Sequence, residues 1–141
     1  MRDNKWLADL LFRLHAEYYA DVPIMNLVLV RFARASKTRL GSIIARPRKG
    51  HKEMVTTITI NELFRNEEEV PEYVIIATLL HEFAHYAHGF HSPLPQKYRY
   101  PHRGGIVNKE IRARGGGEIL KQQESWIKNS YKPFLRSKRL I

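Results

Sequence analysis

The first part of the chain alternates between apolar and polar positions with the period of a helix. Apolar side chains recur every three or four positions, which predicts an amphipathic helix over about residues 3–20. After Pro23 the pattern changes to short apolar runs rich in β-branched residues. These runs predict three strands, at residues 24–32, 41–45 and 54–60. We expect the strands to form a small antiparallel or mixed sheet.

The second half of the chain is predicted to be mainly helical. Residues 71–88 are apolar on nearly every side, begin at a proline and stop before a glycine, so they predict a buried central helix. Shorter helices are predicted at 106–113 and 118–129, and the tail after Pro133 is predicted to be frayed. Helices and sheet together predict an α+β fold, in a single domain over residues 1–141.

The chain contains no cysteine. A disulfide framework is therefore excluded, and any bound metal must be held by His, Asp or Glu. Charged residues interrupt the N-terminal helical pattern, unlike the apolar centre of a signal peptide, and no apolar run approaches the roughly 18 residues of a membrane span. These features predict a cytoplasmic protein that binds no membrane.

The formal net charge of +10 is distributed unevenly. Residues 31–52 carry eight Lys or Arg and no acid, and residues 97–141 carry twelve Lys or Arg against three Glu. Residues 53–82, by contrast, carry seven acids and one Arg. The two basic stretches could attract a polyanion, most simply single-stranded or duplex DNA, which would associate the protein with the nucleoid. They could equally form a solvated basic surface.

The strongest chemical signal is HEFAH at residues 81–85, inside the predicted central helix. His81 and His85 are four positions apart and share a helix face, so both imidazoles can reach one Zn²⁺ ion. Glu82 stands beside them, where it can take a proton from water at the metal and pass it to a leaving amine. The alternative is that the histidines are core residues hydrogen-bonded to the backbone. Because burial leaves such polar residues in need of partners, the motif predicts a zinc metallopeptidase.

A third zinc ligand is needed, and the residues leave two main candidates. His91 stands ten positions after His81, a spacing used where the chain turns back under the helix. His102 follows a proline-rich loop and precedes a glycine pair and a predicted helix. His88 would point away from the ion, and Glu110 is a more distant option.

Residues 38–112 resemble the SprT family of zinc metallopeptidases, whose eukaryotic branch degrades proteins crosslinked to DNA. The likeness is carried by TRLG at 38–41, a Thr/Ile strand ending in Ile60-Asn61, LLHEFAH at 79–85 and YPHRG at 100–104. In that family the third ligand follows a variable loop, is typically followed by glycine and opens a helix. The resemblance therefore implies a zincin-like fold, with His102 as third ligand beside His81 and His85, and with Glu82 as the base. The chain lacks the cysteine zinc ribbon that many members carry.

Peptidases of this architecture hold a substrate as an added strand on a sheet edge. The strand at 54–60 is the candidate edge, with an interior strand as the alternative. Near the predicted third ligand, Tyr98, Tyr100 and Arg103 interleave aromatic and basic side chains. They could contact nucleic acid bases, or a tyrosine could donate a hydrogen bond to an oxyanion, or the tyrosines could simply cover the core.

The leading prediction is a zinc endopeptidase that hydrolyses protein or peptide substrates, including DNA-associated proteins. One alternative is a regulatory peptidase of the ImmA/IrrE type. Another is a zinc-stabilised nucleic-acid-binding module with little hydrolytic activity. Replacing Glu82 by Gln discriminates the peptidases from the module, because only hydrolysis needs the base.

Overall fold

The computed structural model describes residues 1–141. Its elements are, in chain order, α1 (Asn4–Tyr18), β1 (Val28–Ala33), β2 (Gly41–Arg46), β3 (Val55–Asn61), α2 (Glu72–Ala87), α3 (Ile106–Ala113), α4 (Gly117–Trp126) and α5 (Lys132–Ser137). A short 3₁₀ turn, Glu62–Arg65, follows β3, and a π-helical turn, Ile127–Tyr131, joins α4 to α5. The predicted α+β class is confirmed.

Helix α1 begins at a side-chain cap. The Asp3 carboxylate accepts a hydrogen bond of 2.8 Å from the Trp6 backbone N–H, which would otherwise have no partner within the helix. The helix buries a stripe of leucines at the spacing that the sequence showed: Leu7, Leu10, Leu11 and Leu14. Its apolar face is thereby joined to a core cluster of 27 buried residues.

The sheet is mixed, with the strand order β1-β3-β2. Strand β3 lies in the middle, parallel to β1 and antiparallel to β2. Of the two possibilities for residues 54–60, the edge strand is wrong and the interior strand is confirmed, because β3 hydrogen-bonds to a strand on both sides. At the outer edge of β1, the Asn4 side chain of α1 accepts a hydrogen bond of 2.9 Å from the Phe32 N–H. Strands β1 and β2 are therefore the two edges of the sheet, and β2 is the edge strand that contacts α2.

Strand β1 begins four residues later than predicted. Ile24 and Met25 are 45% and 60% exposed, although both belong to the apolar run that predicted the strand. Val28 is the first residue with a strand opposite it, since it pairs with Thr56 near the start of β3 at Val55. Strand β1 therefore starts where a partner strand is available, and the hydrophobicity of the run does not indicate that point.

Helix α2 lies at the centre of the fold. It contacts β2, β3, α1, α3 and α4, and twelve of its 16 residues are buried. It ends where predicted, because Gly89 adopts a positive φ of 78° and a Cβ there would lie 2.3 Å from the Pro95 carbonyl oxygen. No helix of the protein has both the length and the apolar character needed to cross a bilayer.

The C-terminal segment packs into the core, and the prediction of a frayed tail is wrong. Helix α4, the π-helical turn and α5 follow one another without a break. Phe134 is buried with its ring centroid 5.9 Å from that of Trp126, which in turn lies edge-on against Phe64 at 6.0 Å. Pro133 lies in the first turn of α5, where proline is tolerated. Trp126 is itself buried in the core.

Candidate metal centre

Two histidines and a glutamate of α2 meet at one cavity. One potential ligand atom from each of His81, Glu82 and His85 lies within 4.8 Å of the others. The helix repeat places the two imidazoles one turn apart, with ring centroids separated by 5.0 Å. The three side chains line a cavity of 410 Å³ between α2, β2 and the loop that carries His102. We call this cavity the α2–β2 cleft.

His85 has the properties of a metal ligand. Its side chain is 1% exposed, and neither ring nitrogen has a hydrogen-bond partner. An unpartnered polar atom at this depth is unfavourable, and a metal ion would pair with one of the two nitrogens. Burial, followed by the nearby His81 and His102, lowers the pKa of His85 to about 3, and burial likewise lowers the pKa of His81. Both imidazoles are neutral at pH 7, which is the form that binds zinc.

Glu82 is buried beside these histidines with only 5% of its surface exposed. Burial raises the pKa of its carboxyl group to about 7, and the positive charge of Arg39 opposes that rise. No protein group hydrogen-bonds to the carboxylate. Such a carboxyl group can gain and lose a proton near neutral pH, as a general acid and base must.

His102 is the third histidine of the cleft. Its ring centroid lies 4.6 Å from that of His85, and its side chain lines the same cavity. His102 lies next to the group formed by His81, Glu82 and His85, and the Phe90 ring contacts it edge-on with a centroid distance of 5.2 Å. The 14 residues between the end of α2 and His102, residues 88–101, therefore form a loop that brings a third imidazole to the motif.

His91, the other candidate, has a different environment. Its Nδ1 accepts a hydrogen bond of 3.0 Å from the Ala45 backbone N–H on β2. Its carbonyl oxygen accepts another, of 2.8 Å, from the Thr56 hydroxyl. These bonds attach His91 to the sheet, and it does not line the α2–β2 cleft.

His88 and Glu110 belong to a separate polar network. The His88 Nε2 lies 2.7 Å from one Glu110 oxygen, and the Arg114 Nε donates to the other at 2.9 Å. Arg114 also pairs with Asp21 at 2.6 Å. Both carboxylate oxygens of Glu110 are thus engaged. The buried His88 Nδ1 has no hydrogen-bond partner, but neither His88 nor Glu110 lines the α2–β2 cleft.

The close approach of β2 to α2 depends on Gly41. A Cβ at this position would lie 2.7 Å from the Thr78 methyl group and 3.0 Å from the Thr59 carbonyl oxygen. The first distance is too short for a real contact and the second is tight, so a larger residue would push the strand and the helix apart. Glycine keeps the strand beside Glu82.

Strand β2 presents alternate backbone groups to the cleft. The Asn61 N–H donates to the Leu40 carbonyl oxygen. The backbone N–H and C=O groups of the even-numbered residues of β2 therefore point toward β3, and those of the odd-numbered residues point away from the sheet edge into the open. The outward-facing residues are Gly41, Ile43 and Ala45. The Ala45 N–H is already bonded to His91. The backbone groups of Gly41 and Ile43 therefore stay open beside the motif.

Tyr98, Tyr100 and Arg103 lie on the loop around His102. Tyr100 is half exposed, with the Arg103 guanidinium 4.4 Å from its ring centroid. Tyr98 packs edge-on against the buried His88 at 4.8 Å. Neither tyrosine lines the α2–β2 cleft, so the structure does not bring either phenol to the motif.

A second concavity, of 580 Å³, lies on the face of the sheet that is turned away from α2. Arg31 of β1, Ser42 of β2 and Thr59 of β3 occupy one row of the register and share this face. Five exposed arginines line the concavity, and none of them forms an ion pair: Arg31, Arg34, Arg39, Arg46 and Arg48. We call this region the arginine surface.

No family model, curated protein or solved structure matches the chain. The resemblance to the SprT family therefore stays a prediction. What the site can do follows from its own residues and their geometry.

Three residues beside the motif were not singled out as functional from the sequence. Thr78 lies one turn before Glu82 on α2, so the helix period could have placed it next to the site. Arg39 precedes β2 and Gln123 lies on α4, and both reach Glu82 only through the packing of α2 against these elements. No sequence pattern indicates that approach.

Proposed function

We propose that this protein is a zinc-dependent endopeptidase with a zincin-like fold related to the SprT family. One observation carries the proposal: the unpartnered ring nitrogens of His85 lie one turn from an unpartnered, buried Glu82, and both line an open cleft. His81, His85 and His102 would hold the ion. Bound there, zinc would polarise a peptide carbonyl and make water more acidic.

Glu82 would carry the proton in the reaction. It is the only acidic residue that lines the α2–β2 cleft. As general base it would take a proton from the attacking water, and as general acid it would deliver that proton to the leaving amine. The absence of other hydrogen-bond partners leaves its carboxylate available for both transfers.

A peptide substrate would add to the open edge of β2. The outward-facing backbone groups of Gly41 and Ile43 would pair with the substrate backbone, which gives affinity with little demand on side chains. His91 caps the next outward position at Ala45 and so limits the length of the open edge. This arrangement suits unfolded segments of varied sequence.

Reconstitution with zinc tests the proposed function. Metal-free protein is expected to leave an unfolded protein substrate intact, and one equivalent of Zn²⁺ is expected to start its hydrolysis, because the cleft offers ligands for one ion. New N-termini identified by mass spectrometry would measure the reaction, with Mg²⁺ as the control ion. Equal cleavage with and without zinc would contradict the proposal.

We also propose nucleic acid as a partner of this protein. The five exposed arginines of the arginine surface have no acidic partner within the protein, and phosphate groups would supply one. Contacts of this kind release counterions, so binding should weaken as salt increases. If the protein is instead a zinc-stabilised nucleic-acid-binding module, the arginine surface would be its main functional region.

Neutralising two arginines tests the nucleic acid proposal. Combining Arg31→Gln with Arg46→Gln is expected to weaken binding of single-stranded DNA and to reduce the slope of log K against log salt by about 1.4, since each phosphate contact contributes about 0.7. Fluorescence anisotropy over a salt series measures both effects. The control combines Lys121→Gln with Lys128→Gln, which removes the same charge from the exposed side of the C-terminal helices. Equal losses in both pairs would assign the effect to net charge and contradict a role for the arginine surface.

A further inference from the structure

A smaller cavity opens beside Glu82. It has a volume of 330 Å³ and lies between the loop before β2, helix α2 and helix α4. His81 and Glu82 separate it from the deeper part of the α2–β2 cleft, since neither His85 nor His102 lines it. Its walls are polar, with Leu40 as the one hydrophobic residue. We call it the side pocket.

Gln123 supplies a hydrogen-bond acceptor to the side pocket. Its Nε2 donates to the Val74 carbonyl oxygen and to the Thr78 hydroxyl oxygen, both at 2.9 Å. A carbonyl oxygen can only accept, so this amide orientation is fixed and both N–H groups are used. The Thr78 hydroxyl hydrogen is also used, in a bond of 2.8 Å to the Val74 carbonyl. The Gln123 Oε1 is left as an acceptor without a protein donor.

Arg39 supplies donors at the exposed rim of the side pocket. Its backbone is held in place by a bond of 3.1 Å from its N–H to the Ser36 hydroxyl and one of 2.9 Å from the Asn61 amide to its carbonyl oxygen. Its guanidinium group forms no ion pair, and it can only donate. The pocket therefore pairs an acceptor on α4 with donors at the rim.

We propose that the side pocket binds the carboxamide side chain of a glutamine or asparagine in the substrate. A carboxamide carries N–H donors for Gln123 and a carbonyl acceptor for Arg39 on the same carbon. A carboxylate would turn lone pairs toward the Gln123 Oε1 and toward Glu82, which lines the same pocket. An aliphatic side chain would leave the Oε1 of the buried Gln123 without a donor, which binding sites of this kind reject strongly.

The position of the pocket along the strand tells which substrate residue it would receive. The pocket adjoins the Gly41 end of β2, whereas His91 caps the opposite end at Ala45. In an antiparallel pairing, the commoner arrangement, the substrate runs from the Ala45 end to the Gly41 end. The pocket would then receive the side chain of the residue that follows the cleaved bond. This inference rests on the proposed peptidase function.

Selectivity among matched peptides tests the proposal. Five peptides that differ only in the residue after the cleaved bond, Gln, Asn, Glu, Lys or Leu, would be hydrolysed by the zinc-loaded protein. The ratio of kcat/KM for the Gln peptide to that for the Leu peptide is expected to be roughly tenfold or more. Arg39→Met and Gln123→Met are each expected to bring this ratio close to one. Both kcat/KM values are measured on the same variant, so a general loss of activity or of folded protein lowers both equally and leaves their ratio unchanged.

The neighbouring Gln122→Met serves as the matched control, because Gln122 is exposed on the same helix and should leave the ratio unchanged. Hydrolysis without preference, or with preference for Lys, Glu or Leu, overturns the pocket proposal while the peptidase function stands. If no peptide is hydrolysed, the peptidase function fails, and binding of the same peptides decides the pocket separately. In that case a shift of the Gln123 side-chain amide resonance with the Gln peptide but not the Leu peptide supports the proposal, and no difference overturns it.

Discussion

Replacing Glu82 by Gln is expected to lower kcat/KM for peptide hydrolysis by roughly 10²- to 10⁴-fold, the range that a general acid and base contributes. Gln has nearly the same shape as Glu but cannot take or deliver a proton. Because Glu82 is buried and has no hydrogen-bond partner in the protein, the exchange leaves no other group without a partner. Zinc content and thermal stability are therefore expected to stay close to those of the parent. Rates on a fluorogenic peptide and metal analysis of the purified variants measure the two effects.

Glu72→Gln is the matched control for this experiment. It makes the same chemical change on the same helix, at an exposed residue in the first turn of α2. Its hydrolysis rate should equal that of the parent. If Glu82→Gln hydrolyses peptides as fast as Glu72→Gln, the peptidase proposal is wrong and the zinc-stabilised binding module is the better description.

Replacing His102 by Ala is expected to lower the affinity for zinc by more than about 100-fold. Mutation of a residue that hydrogen-bonds to a metal ligand typically lowers metal affinity 10- to 100-fold, so removal of a ligand itself should lower it more. His102 is exposed and lies on a loop, and the fold should therefore tolerate the change. Competition with a zinc-binding dye measures the affinity, and hydrolysis should fall with zinc content. Zinc binding should also increase the free energy of unfolding of the parent by RT ln(1 + [Zn²⁺]/Kd) and so raise its melting temperature.

His91→Ala is the matched control, since it removes the other candidate imidazole. Zinc affinity is expected to stay within a few-fold of the parent value, because His91 bonds to the sheet and does not line the cleft. Amide hydrogen exchange at Ala45 should become faster, as this N–H loses its acceptor. Loss of zinc from His91→Ala with retention in His102→Ala would reverse the assignment of the third ligand.

Helix α2 shows how much of this protein can be predicted from local pattern. Its apolar residues, its initial proline and the terminal Gly89 predict the helix to within one residue at each end, because each signal acts over a single turn. The same period places His81 and His85 on one face, so the nucleus of the site is predicted with it. Helix α3 was predicted with its observed limits for the same reason.

Predictions that depended on distant partners were less successful. The sequence left open whether residues 54–60 form an edge or an interior strand, and the structure places them between β1 and β2. The tail after Pro133 was expected to fray, but Phe134 packs against an aromatic cluster around Trp126. Both outcomes have the same cause. Strand order and the burial of a terminal segment depend on residues far away in the chain, and no local sequence period indicates them.

The amino-acid sequence by itself determined the fold class, the central helix and the paired histidines with their glutamate, because each follows from repeats of two to four residues. Only the tertiary structure decided that His102 lies in the cleft while His91 bonds to the sheet, that β2 is the edge strand beside α2, and that Arg39 and Gln123 form a pocket beside Glu82. These arrangements require elements remote in sequence to pack against α2. Their physical reason is the close approach of β2 and α4 to that helix, which Gly41 permits on the β2 side by having no side chain.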